Sequence, residues 1–120
     1  MYSLQTTKAL WLTSDGLRQY IDVDVIQFTK KSFELHIRSA NGNEIKCNLV
    51  SDDGFNYYSN VNQSVTPYSF HLRCFFKDLN ILLYGNWKKG GHEGELCIHA
   101  TSKILISDHN PDFPELPPAA

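Results

Sequence analysis

Residues 68–100 carry three alternating runs of apolar and polar side chains, and this pattern constrains the fold more than any other feature of the chain. Apolar or aromatic side chains occupy every second position of the first run: Tyr68, Phe70, Leu72, Cys74 and Phe76. A period of two places successive side chains on opposite faces, as in a β-strand with one buried face. The apolar positions of the second and third runs are Leu79, Ile81, Leu83 and Trp87, then Leu96, Ile98 and Ala100. The pattern therefore predicts three consecutive strands.

Short breaks between the runs indicate where the chain turns. Lys77 and Asp78 form the first break, which is short enough for a tight hairpin. Residues 88–94 contain three of the seven glycines and are predicted to be a loop. Gly85 lies inside the second predicted strand, where a glycine indicates a bulge or the close approach of another backbone.

The rest of the chain repeats this alternation in shorter runs. Further strands are predicted around Trp11 and over residues 20–28, 33–37, 45–49, 55–61 and 104–106. Asn41 and Gly42 separate two of these runs, and Asn-Gly in that position is the strongest short-range signal for a hairpin. A single helical turn over residues 16–19 remains an alternative for that segment. The chain is thus expected to contain eight or nine strands and almost no helix.

These elements predict an all-β fold, a single-domain antiparallel meander. Residues 1–107 form the predicted domain, and residues 108–120, with four of the five prolines, form a predicted flexible tail. Closing the meander into a small barrel removes its exposed edges, which favours a barrel, with a β-sandwich as the alternative. The interior of so small a barrel is narrow, and either side chains or one small ligand can fill it.

Composition and charge narrow the classes of partner. The net charge is −2 and the sequence pI is about 6.2, which argues against binding to nucleic acid or to acidic membranes. No apolar run reaches the roughly 18 residues that a spanning helix needs. The three cysteines are widely spaced without a C-x-x-C motif, which is not a disulfide framework. We therefore expect a cytoplasmic protein.

The residue types that carry chemistry do not form a recognisable site. Asp22 and Asp24 share one face of a predicted strand, at a separation that paired carboxylates of glycosidases can have. His92, Cys97 and His99 can lie near one another, yet they lack the spacing of a known zinc site. The sequence therefore predicts no catalytic residue, metal or cofactor, and it leaves enzymatic activity open without favouring it.

Aromatic side chains near predicted loops and strand ends are the best candidates for a binding site. Rings with polar tips line small-molecule sites and anchor protein interfaces, although most rings in a small barrel serve packing. The predicted ligand-binding residues are Tyr57, Tyr58, Tyr84 and Trp87.

One segment resembles a known family. Gly85-Asn86-Trp87, with Gly91 and residues 94–98 (Gly-Glu-Leu-Cys-Ile), is similar to the G-x-W and G-x-L-x-I hairpin of calycin-type barrels, which include lipocalins, fatty-acid-binding proteins and avidins. In that family the tryptophan closes one end of the barrel, and the bound molecule is small and largely apolar. The resemblance covers residues 85–98 and implies the same arrangement here.

The sequence thus suggests a non-catalytic module that binds a small, partly apolar molecule in or at the mouth of a barrel. The alternative is a protein-interaction module, or one that forms homo-oligomers. It would use an aromatic strand face or the Pro-rich tail.

Overall fold

The computed structural model describes residues 4–38, 42, 44–59 and 67–102, apart from the side chains of residues 7 and 8. This part of the chain forms nine strands and contains no helix, hence none that could cross a membrane. The strands are β1 (Leu4–Thr13), β2 (Arg18–Tyr20), β3 (Asp22–Ile26), β4 (Ser32–Arg38), β5 (Glu44–Val50), β6 (Asn56–Ser59), β7 (Ser69–Lys77), β8 (Asn80–Lys89) and β9 (His92–Ser102). The predicted all-β, single-domain class is confirmed.

The nine strands form one antiparallel sheet that curls into a nearly closed barrel. The sheet order is β2-β1-β9-β8-β7-β6-β5-β4-β3, so the chain is a meander whose last strand returns to its first. Only Ile21 separates the two edge strands, β2 and β3, and its amide donates a hydrogen bond to the carbonyl of Ala9 (3.3 Å). The two edges therefore meet beside β1, although no ladder joins β1 to β3 within the described ranges. This arrangement is the predicted barrel and not the sandwich.

Two hairpins of the central stretch turn at different residues from those expected. Lys77 pairs with Asn80, so the first turn is Asp78-Leu79 and not Lys77-Asp78. Asp78 adopts a φ of 55°, which a two-residue hairpin turn requires and which aspartate tolerates better than most residues. As a result Leu79 does not share the buried face of β8 and is 40% exposed.

The strands of the second hairpin extend further than predicted, so its turn is shorter than the predicted loop. Lys89 pairs with His92, so β8 and β9 continue through most of residues 88–94 and only Gly90-Gly91 forms the turn. Gly90 has a φ of 58°, as the turn requires. Gly94 is a strand residue, and its role is described below.

The segment after the first strand also differs from its prediction. Residues 20–28 do not form one strand, because the chain changes its pairing partner from β1 to β4 at Ile21. Residues 18–20 are extended, so the alternative of a helical turn over residues 16–19 is wrong. Some predicted features lie wholly or partly outside the described residues: Asn41 of the Asn-Gly turn, residues 60–61 of the strand predicted over 55–61, the strand at 104–106 and the tail at 108–120.

Side chains fill the interior of the described barrel. The inward positions of the strands form one hydrophobic core, and many of its members have no exposed surface. The fully covered side chains include Leu35, Leu49, Leu72, Ile81, Leu83, Leu96 and Ile98. A side chain that bordered a void large enough for water would retain exposed area, so no such void adjoins these residues.

Gly85 shows why a glycine is needed in the middle of β8. A methyl group at this position would lie 1.8 Å from the carbonyl oxygen of His71 on β7. The predicted close approach of another backbone at Gly85 is therefore confirmed.

Candidate functional site

Four aromatic rings gather at one end of the barrel, where β1 and β8 end and β7 begins. We call Trp11, Tyr68, Phe70 and Trp87 the mouth cluster. The indoles of Trp11 and Trp87 stack with their centroids 4.5 Å apart and their planes 21° apart. The ring of Tyr68 meets both indoles edge-on, at 5.6 Å and 6.0 Å. Phe70 and Trp87 are buried, whereas Trp11 and Tyr68 each keep part of their surface exposed.

Backbone contacts fix the orientation of this cluster. The indole N–H of Trp87 donates a hydrogen bond to the carbonyl of Leu12 (3.0 Å), which ties β8 across β9 to β1. Gly94 of β9 lies between them. A methyl group at Gly94 would be 1.9 Å from the Leu12 oxygen and 2.7 Å from the indole nitrogen. Glycine at this position therefore makes the indole hydrogen bond possible.

Two rings of the mouth cluster, Tyr68 and Trp87, form the floor of a depression of about 320 Å³, which we call the mouth site. Tyr68 and Trp87 supply its apolar surface, and Asp15, Lys89 and His92 stand among its polar lining residues. The ammonium group of Lys89 lies 5.0 Å from the ring centroid of Tyr68, within the range of a cation–π interaction. The site thus combines an aromatic floor with charged groups of both signs.

One wall of the mouth site is a turn that its own hydrogen bonds stabilise. The amide of Gly16 donates to the carbonyl of Thr13 and the amide of Thr13 to that of Leu17, both at 3.0 Å. The hydroxyl of Thr13 donates to the carboxylate of Asp15, and this bond holds the pKa of Asp15 below its ordinary value. The amide of Ser14 bonds the carbonyl of Glu93 (3.2 Å), which joins the turn to β9. The carboxylate is therefore held ionised at the rim.

Two further depressions adjoin the mouth site on the outer surface of the sheet. The larger, about 500 Å³, lies between residues 12–14 and the polar side chains of β8 and β9. The second, about 330 Å³, lies between Tyr58, His71 and Lys88. They share Asn86 and Lys88, so the three depressions surround the end of the β8–β9 hairpin. The larger outer depression has no aromatic lining residue, whereas the second is lined by Tyr58 and by Phe70 of the mouth cluster.

The four predicted ligand-binding residues do not converge on one place. Trp87 lies in the mouth cluster. Tyr57 points into the core, packs on Phe28 and Phe33 with centroids 5.4 Å and 5.0 Å away, and has no exposed surface. Its hydroxyl donates to the carbonyl of Thr29 (2.7 Å), and burial raises its pKa well above the ordinary value. We call Phe28, Phe33 and Tyr57 the sealed cluster.

The other two predicted residues lie on the outer surface. Tyr58 stacks on His71, with centroids 4.3 Å apart and planes 15° apart, and borders the second outer depression. The hydroxyl of Tyr84 donates to the carboxylate of Glu95, which raises the pKa of Tyr84. Both rings are out of phase with their buried neighbours, as the alternation predicts.

Sequence reasoning missed Trp11, Tyr68 and Lys89 as members of one site. Each belongs to a different strand or strand end, and β1 meets β8 only through the long-range pairing of β1 with β9. The alternation does place Trp11 in phase with the buried Ala9, which was the available signal.

The candidates for catalysis and metal binding are separated or already paired. Asp24 accepts a hydrogen bond from the guanidinium of Arg38 (3.1 Å) on the neighbouring strand. Cys97 and His99 both project outward from β9, and an imidazole nitrogen of His99 lies 2.9 Å from the amide oxygen of Asn80. Over the described ranges, no three His, Cys, Asp or Glu side chains are placed to hold a metal ion.

Comparison with known proteins identifies no relative: no protein-family model, curated protein or solved structure matches the chain. Because a fold alone does not determine a function, the geometry of the site must carry the functional argument.

Proposed function

We propose that the protein is a non-catalytic binding module that holds a small, partly apolar molecule at the mouth of the barrel. One observation carries the proposal. The ring of Tyr68 keeps exposed surface at the floor of the mouth site, beside the indole of Trp87, whereas the inward side chains of the barrel are covered by one another. Binding at the mouth therefore has support that binding in the interior lacks.

The lining of the mouth site suggests the chemistry of the ligand. Aromatic faces favour a flat or aliphatic portion that displaces water from the floor. Lys89 and His92 on the rim suit an acidic or hydrogen-bond-accepting group, while Asp15 suits a donor. The volume of about 320 Å³ is near the lower end for small-molecule sites, roughly 300 Å³. We infer a compact ligand with one apolar portion and one polar end.

The calycin-like hairpin adds support to this reading. Gly85 and Trp87 lie on β8, beside the strand of Gly94, and the tryptophan stands at one end of the barrel, as it does in calycins. Calycins hold their ligands inside the barrel, so the proposed site is displaced towards the mouth. The three cysteines are free thiols, which supports the expected cytoplasmic location.

Native mass spectrometry of freshly purified protein tests whether a molecule is bound. We expect a mass above that of the chain that disappears on denaturation. The released compound can then be returned to the stripped protein. Trp11 and Trp87 are the only tryptophans of the chain and both belong to the mouth cluster, so their fluorescence reports on this site alone.

Two tyrosine variants locate the ligand. Tyr68→Ala removes the partly exposed ring of the aromatic floor and is expected to weaken binding at least about tenfold, the equivalent of roughly 1.4 kcal/mol. Tyr58→Ala removes an exposed ring outside the mouth site and serves as the matched control, with unchanged affinity expected. Loss of binding in Tyr58→Ala alone would place the ligand in the outer depression. Absence of bound mass, together with no fluorescence response to a library of small amphipathic compounds, would refute the proposal.

The alternative suggested by the sequence is assembly through an aromatic strand face, and the exposed rings of Tyr58 and Tyr84 on the outer surface of the sheet are the candidates for it. The other part of that alternative, docking through the Pro-rich tail, lies outside the described residues.

A further inference from the structure

The rim of the mouth site carries two hydrogen-bond donors that face each other across the β8–β9 hairpin. Lys89 of β8 pairs directly with His92 of β9, and the next inward pair is Trp87 with Gly94. Because Trp87 points into the core and side chains alternate along a strand, Lys89 and His92 also leave the sheet on its inner side. Directly opposite side chains have Cβ atoms about 4.5–5.5 Å apart. Lys89 and His92 are therefore close enough to contact the same group of a ligand.

These two donors have no acceptor within the described part of the protein. There, neither Lys89 nor His92 takes part in a hydrogen bond or an ion pair. The ammonium group of Lys89 contacts only the ring of Tyr68, 5.0 Å from its centroid. The carboxylate on the opposite wall differs, because Asp15 already accepts the hydroxyl of Thr13. The hydrogen-bonding capacity that remains unused at the rim thus lies mainly with its donors.

The position of Lys89 also argues against a cationic ligand. Aromatic rings such as those of Tyr68 and Trp87 attract cations, but the ammonium group of Lys89 already lies over the ring of Tyr68. A second cation on this floor would be repelled by the first. The other carboxylate that lines the mouth site, that of Glu93, stands opposite Lys88 on the outer side of the hairpin. An anionic group is therefore the better complement to the rim.

We propose that the mouth site selects a small carboxylic acid in its ionised form, and that Lys89 is the residue that determines this selectivity. The inference rests on the proposed function and names the chemical class of its ligand. The two oxygens of a carboxylate match one N–H donor from Lys89 and one from His92. A phosphate monoester brings more charge and more acceptors than these two groups can bond. The apolar part of the acid then covers the rings of Tyr68 and Trp87.

Titrations followed by tryptophan fluorescence test the selectivity with probes of similar shape and different charge. One series is phenylacetate, phenylacetamide and phenethylamine, and the other is hexanoate, hexanamide and hexylamine. In at least one series the carboxylate is expected to bind at least about tenfold more tightly than the amide, and the amine more weakly still. An amide or amine that equals the carboxylate in both series would overturn the inference and leave the proposed function intact. No response to any probe would also overturn it, while the native mass and the compound library decide the proposed function separately.

Two lysine variants separate a direct contact from an effect of net charge. Lys89→Met keeps an apolar stem but removes the ammonium group, so it is expected to lower the affinity for the carboxylate about tenfold and leave that for the amide unchanged. Lys88→Met is the matched control, because it changes the net charge equally while Lys88 lines only the two outer depressions. Lys89→Arg is expected to retain the preference for the carboxylate. Equal losses in Lys89→Met and Lys88→Met, or a parallel loss of carboxylate and amide binding in Lys89→Met, would contradict the role of Lys89.

Discussion

The mouth cluster and the sealed cluster contain the same kinds of residue in similar contacts, yet only one of them makes a plausible binding site. In both, the closest ring centroids are about 5 Å apart. The rings of the sealed cluster are at most 1% exposed, and the one hydroxyl among them is bonded to a backbone carbonyl. The mouth cluster keeps exposed faces beside charged side chains. Aromatic content therefore does not locate a site; residual exposure beside polar groups does.

The largest expected effect is the difference in how much each cluster contributes to the free energy of unfolding. Phe33→Ala leaves a cavity in the sealed cluster and should lower the free energy of unfolding by about 3–5 kcal/mol. Tyr68→Ala removes a partly exposed ring of the mouth cluster and should cost only about 1–2 kcal/mol. Urea denaturation measures both. Equal losses of unfolding free energy in the two variants would show that the mouth cluster serves packing, as the sealed cluster does.

A smaller effect is expected from the glycine that supports the mouth cluster. Gly94→Ala forces β1 and the indole of Trp87 away from β9 and should cost about 2–3 kcal/mol, with a change in tryptophan emission. Gly91→Ala is the matched control, because a methyl group there meets nothing within 4 Å and the residue does not have a positive φ. The control should change stability by less than about 0.5 kcal/mol. A tolerated Gly94→Ala would mean that the indole hydrogen bond to Leu12 does not organise the mouth.

The smallest expected effect concerns the hydroxyl that closes the sealed cluster. Tyr57→Phe removes the hydrogen bond to Thr29 and should cost about 1–2 kcal/mol at neutral pH. Burial raises the pKa of Tyr57 in the folded state. Its contribution is therefore complete below the unfolded value of about 10 and is lost as the pH rises above it. Wild type should lose stability above about pH 10 more steeply than the variant does. Parallel alkaline limbs in denaturation curves would contradict the burial of this hydroxyl.

Most of the fold could be predicted from the period of two, because each strand shows which of its faces is buried. The same alternation placed Tyr58 and Tyr84 on the outside. The glycine inside β8 separately predicted the close approach of another backbone, which the His71 carbonyl makes at Gly85. The turn positions were less predictable, since a glycine that allows close packing looks like one that allows a turn. Gly94 is such a residue: it was assigned to a loop but lies within β9.

The site was harder to predict than the fold, because it depends on which strands become neighbours. Trp11 and Trp87 are far apart in the chain and meet only because β9 returns to β1. Alternation within one strand contains no information on that pairing. It also cannot separate Tyr57 from the mouth residues, since all of them show the pattern of buried or half-buried rings.

Nuclear magnetic resonance with labelled methyl and indole groups tests the central claim most directly. The titrant is the compound released from the protein, or the best hit from an amphipathic library. The account predicts a shift of the Trp87 indole at the mouth site, with the methyl signals of Leu35 and Leu72 in the barrel interior unchanged. Shifts of those interior methyl groups without a response at the mouth would show that the ligand enters the barrel, and would contradict the account.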